Sequence, residues 1–154
     1  MKKWFVVGAL VAAAAIALAV FATQSGTPDA DTVVDNFRAV ERNCIQAFNA
    51  ALGEQRTNQI DELELAVIVE RDVLGPWREL RRHVSAAPVP ETRRDLYETM
   101  RRYLETRQIA WEAYAASLRS PSQEAARPHY DVYHQRNADA QAEAQILGRM
   151  FRAP

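Results

Sequence analysis

Apolar residues recur along this chain at steps of three and four, the spacing of one face of an α-helix, and strand-type alternation is absent. Asp29 and Asp31 suit a helix N-terminus through side-chain capping and the helix dipole. From there Val33, Phe37, Val40, Cys44, Phe48 and Leu52, with Ala51 beside it, form one stripe that ends near 53–58. A second stripe follows: Ile60, Leu63, Val67, Glu70, Leu74, Trp77 and Val84. It holds its phase across Gly75-Pro76, which predicts one kinked helix over about 60–85, with Pro76 in the first turn of its second half. "AAPVPE" is a loop, and Pro90 and Glu91 open a third helix with the stripe Leu96, Met100, Tyr103, Arg107, Ala110 or Trp111, Tyr114 and Leu118. After "SPSQ" the fourth stripe is Ala126, Tyr130, Tyr133, Asn137, Ala140, Ala144, Leu147 and Phe151, with Pro128 placed to kink or delay its start. Helices of this length joined by short loops predict an all-α, antiparallel, up-down-up-down four-helix bundle.

Ahead of the bundle lies a different pattern. Trp4 to Ala22 is 19 residues without a charge, preceded by Lys2 and Lys3. About 20 apolar residues span a bilayer as helix, whereas the apolar part of a cleavable signal is about 7–15. Length favours one retained N-terminal transmembrane helix. The alanine richness and the small-residue end Val20-Phe21-Ala22 suit cleavage after Ala22 and secretion. In either case the two lysines stay inside and the remainder is exported. The predicted organisation is a cytoplasmic stub (1–3), a signal-anchor or signal peptide (4–22), a polar linker (23–30) and an exported helical bundle (31–154). The expected location is the inner membrane, single-pass, with the C-terminal domain in the periplasm or outside the cell.

Charge changes the picture by exclusion. There are 20 acidic and 19 basic residues, so no strong field draws nucleic acid. Every basic residue after Lys3 is Arg, as codon bias in a GC-rich bacterial genome would produce. The single cysteine, Cys44, excludes an internal disulfide and reads as a buried core residue.

Two charges interrupt the apolar stripes: Glu70 and Arg107. With a turn near residue 88 they fall at one height on facing helices. A turn near 120 brings His134 level with Arg107, and Asn137 lies about one turn further on. This predicts a mid-bundle polar layer of Glu70, Arg107, His134 and Asn137, centred on a Glu70–Arg107 ion pair. Its structural role is to fix helix register; its functional role would be to hold a ligand carboxylate.

Reaction chemistry finds little support. His129 and His134 are five apart and do not share a helix face, and the Asp131/His134 pair alone does not make a metal site. There is no Glu-x-x-His, no Cys-x-x-Cys-His, no Gly-x-Ser-x-Gly, no Ser-x-x-Lys and no phosphate-binding glycine loop. No catalytic residue, metal or cofactor is expected. The tyrosines and tryptophans of the third and fourth helices serve the core or line a groove for a partner.

The stretches "IVERDVLGPWRELRRHV" and "YLETRQIAWEAY", within about 60–115, resemble helical segments appended to some bacterial rhomboid-type intramembrane proteases. The resemblance implies a stand-alone relative of such an accessory domain and no activity, because the protease's Ser/His pair and multiple membrane helices are missing. Two functions follow as expectations. One is a non-enzymatic, membrane-tethered interaction module whose partners are the membrane, through 4–22, and another protein. The other is a bundle that binds a small ligand through the Glu70/Arg107 layer.

Overall fold

The computed structural model describes residues 29–152 of the chain. The uncharged run 4–22, the lysines before it and nearly all of the linker lie outside the described residues. Among the described residues the chain is all-helical, and no helix is long and apolar enough to cross a membrane.

Four helical rods form a bundle. The first, α1, is Ala30–Arg56, opened by the Asp29 side chain, which accepts from the Thr32 amide at 2.8 Å. Asn58, with φ 54°, turns the chain; asparagine is one of the few side chains that tolerates this conformation. The second rod is composite: α2 (Glu62–Ile68), a π-helical turn (Val69–Leu74) and α3 (Gly75–Ala86) run on without a loop. Asp61 and Glu64 cap its start reciprocally. After a 3-10 turn at Glu91–Arg93 comes α4 (Arg94–Leu118). The last rod, α5 (Gln123–Met150), is capped by Ser122 and is not delayed by Pro128, which lies inside it.

The stripe expected on α1 is buried as read, from Val33 to Ala51. That on α4 is buried too, with Met100, Tyr103, Arg107, Ala110, Trp111 and Tyr114 all inside. The core is aromatic at its centre. Trp77 packs edge-on against Trp111 at 4.8 Å and Tyr103 at 5.7 Å, and Phe48 lies 5.6 Å from Trp111. The Trp77 Nε1–H donates to the Leu104 carbonyl at 2.9 Å, so the one polar atom of this large side chain is satisfied. Truncating such a core aromatic to alanine costs about 3–5 kcal/mol. Arg107 to Asn137 and Tyr114 to Tyr130 and Tyr133 are among the contacts of α4 with α5. These two helices make the closest-packed pair of the domain. On α5 only Ala140 and Leu147 are fully buried, and its outer face is open.

The second rod departs from expectation. Pro76 stands in the first turn of α3, as expected, but the two halves of the rod are not in phase. The irregularity precedes Pro76. Proline lacks the backbone donor, and its ring would strike the carbonyl four residues earlier, that of Asp72. The helix widens instead: the Gly75 N–H reaches Glu70 O, five residues back. The Val73 carbonyl inside the widened turn accepts from Cys44 Sγ at 3.6 Å. The extra residue rotates everything upstream by about 100° relative to an unbroken helix. Leu65, Ala66, Val69 and Val73 face the core as a result, while Leu63 is 61 % exposed and Val67 53 % exposed. The stripe Leu63, Val67, Glu70 therefore ran along the outer side, and only its continuation from Leu74 points inward.

Candidate functional site

The buried polar groups gather around Arg107 on α4. Arg107 is 8 % exposed; its guanidinium lies 5.7 Å over the Tyr103 ring and 5.6 Å over the Trp111 ring, and donates through Nη1 to Asn137 Oδ1 on α5. One turn away the Tyr103 hydroxyl donates to Glu41 Oε1 on α1 at 2.7 Å. A polar layer at mid-bundle therefore exists, and it links α1, α4 and α5 in the order Glu41, Tyr103, Arg107, Asn137. The cation is held by two aromatic faces and an amide, with its nearest linked carboxylate one tyrosine removed.

The Glu70–Arg107 pair does not form. Glu70 lies on the flank of the bundle, where its carboxylate meets Arg78 and Arg119, each at 3.3 Å. Two causes separate it from Arg107. The π turn swings Glu70 away from the core direction. The heights also differ from a turn centred near 88: Arg78 bonds to Glu112 at 2.8 Å and Arg101 to the Val84 carbonyl at 3.4 Å, pairs centred on about residues 93–95. Glu70 thus stands opposite Arg119, and Arg107 opposite α3. Asn137 belongs to the layer as expected. His134 does not: it is exposed and stacks beside Tyr130 and Tyr133 at 5.1 and 5.2 Å. Glu41 was missed. It follows an apolar stripe position directly, and nothing in its sequence context marks it as the partner of a tyrosine two helices away.

The chemistry available to these groups is limited. Burial, with a smaller push from Glu41, raises the Cys44 thiol to about 12, which leaves it protonated and unreactive at neutral pH. Burial and then the Glu41 carboxylate hold the Tyr103 hydroxyl far above its ordinary range, so it is a hydrogen-bond donor and not a base. Tyr114 is lifted to about 12, first by burial and then by its neighbours Tyr130 and Tyr133. Among the described residues no three His, Cys, Asp or Glu side chains converge to hold a metal. A groove at the end of the bundle where the described chain begins is lined by Asp31, Arg38, Arg93 and Phe151, and within it Arg93 pairs with Asp31 at 2.6 Å.

The outer surface offers more. Leu63 and Val67 stand one turn apart on α2, and Tyr130 and Val132 are 42 % and 41 % exposed on α5. Tyr114, Tyr130 and Tyr133 form a mutually packed cluster with centroids 4.8–6.1 Å apart. Comparison with protein-family models, curated proteins and solved structures finds no match to this chain.

Proposed function

We propose that this chain is a non-enzymatic helical interaction module, tethered to the inner membrane by residues 4–22 and exported beyond it. The observation that carries the reading is the exposed apolar pair Leu63 and Val67 on an otherwise well-packed bundle. Their neighbours Leu65 and Val69 fill the core, so these two side chains are left over for an external contact. The uncharged run behind Lys2-Lys3 supports the tether. The antiparallel up-down-up-down course belongs to the same reading. It is supported by the meeting of Ala66 with Arg119, Arg78 with Glu112 and Val84 with Arg101, and by Arg107 with Asn137 and Tyr114 with Tyr130 on the next rod. The partner is a protein that presents an apolar face to α2. Ligand binding through Glu70 and Arg107 is not retained, because the two side chains do not share a site.

A photo-crosslinking side chain at position 63 or 67 tests this in living cells, with position 142 on the outer face of α5 as control. The expected result is one defined protein adduct from 63 and 67, in the membrane fraction, and none from 142. Equal or absent crosslinking at all three positions would overturn the reading. A reporter fused after Pro154 that works only outside the cytoplasm tests the topology separately.

A further inference from the structure

The second rod carries two apolar stripes over the same residues, and the π turn chooses between them. Taking the direction of Trp77 as inward and counting back at about 100° per residue, an unbroken α-helix would place Leu63, Ala66 and Glu70 within about 40° of the core and Leu65 about 120° away. The one-residue widening at Val69–Leu74 turns this segment so that Leu65 and Val69 point in, both 0 % exposed, and Leu63 and Val67 point out. Ala66 is inward in both arrangements and is fully buried. Both stripes can therefore pack; what distinguishes them is Glu70. In the unbroken helix its carboxylate would enter the core away from any cation. In the π form it stays on the flank between Arg78 and Arg119. Pro76 adds a second preference, since its ring is relieved by the widened turn.

We propose that α2 exchanges between two registers about this π turn, one presenting Leu63 and Val67 and one turning Leu63 toward the core and Val67 to the flank, with Glu70 and Pro76 holding the presenting register. Each one-residue step rotates α2 by about 100° with little change along its axis, so the loop before Asp61 and the rod after Trp77 can stay in place. By linkage, any partner that covers Leu63 and Val67 stabilises the π register, and loss of the partner frees the exchange.

Thiol labelling of the full chain in detergent tests this, in a Cys44→Ala background with single cysteines at 63, 65, 66 or 84. With the natural Glu70 and Pro76, position 65 should label at least tenfold faster than position 84, although Leu65 and Val84 are equally buried. Position 66 should stay as protected as 84. Equal rates at 65 and 84 would overturn the exchange. Matching rates at 65 and 66 would replace it with fraying of α2, which also overturns it. Combining Glu70→Leu with Pro76→Ala removes both holds, so position 63 should become protected at least tenfold and 65 accessible, with the helical circular dichroism kept. A folded double variant that still labels at 63 and not at 65 would refute the two-register assignment.

Discussion

Two double-mutant cycles separate the polar layer that exists from the one the helix periodicity implied. In the first, Asn137→Ala removes the Oδ1 that accepts from the Arg107 guanidinium, leaving a buried cation between Tyr103 and Trp111. A hydrogen bond to a charged group is worth about 1.5–3 kcal/mol, and stranding the donor in a dry site brings the cost to the upper part of that range. Arg107→Met keeps the stem packed against both rings and removes the desolvated charge. It loses the amide bond and a cation–π contribution of about 0.5–2 kcal/mol, offset by the relief of desolvation, for a net cost of about 0–2 kcal/mol. With Arg107 already replaced, Asn137→Ala should cost almost nothing more, since Asn137 is partly exposed and its amide can turn to water. The coupling is therefore about 2 kcal/mol, or a gap of roughly 6–8 °C between observed and additive midpoints for a domain of this size. In the second cycle, Glu70→Ala removes a one-third-exposed carboxylate paired with Arg78 and Arg119, worth about 0.5–1 kcal/mol. Combined with Arg107→Met it should add within about 0.5 kcal/mol. Thermal melts of the full chain in detergent, followed at the helix band, measure all six proteins. A coupling of 2 kcal/mol between Glu70 and Arg107, or additivity between Arg107 and Asn137, would refute this assignment of partners.

Two further outcomes follow from the buried thiol and the internal proline. With its folded value raised to about 12 from an ordinary 9.0, native Cys44 should be ionised in only about one molecule in ten thousand at pH 8, so alkylation should track unfolding and not thiol exposure. Because the folded value is the higher one, this group's contribution to stability is complete below about pH 9 and is lost as pH rises toward 12. Alkylation at the rate of a free thiol under native conditions would contradict the burial. Pro128→Ala restores the donor missing opposite the Glu124 carbonyl inside α5 and should raise stability, by up to about 3 kcal/mol if the helix is as continuous as it stands. A loss of stability would mean that the proline is required where it is.

The sequence by itself determined the four rods, the Asp29 cap of the first and the inward faces of α1 and α4. Period-3.6 apolar spacing reports burial where a regular helix is covered, as on α1 and α4; on α5 only Ala140 and Leu147 of the stripe are fully buried and Tyr130 is exposed. It also singled out Arg107 and Asn137, because a charged or amide side chain on an apolar stripe needs a partner at the same height. What it did not determine was anything that depends on one extra residue. The stripe through Leu63, Val67 and Glu70 is in perfect α-helical phase with Leu74 and Trp77, yet the π turn makes it the outer face. That turn accommodates Pro76 and keeps Glu70 out of the core, and neither effect has a local periodic signature. Heights between rods likewise follow from where the chain reverses and not from loop composition, and this decided that Glu70 meets Arg78 and Arg119 while Arg107 meets Asn137. Glu41 joins the layer only because Tyr103 crosses to α1, a contact between residues 62 apart that tertiary packing alone could set.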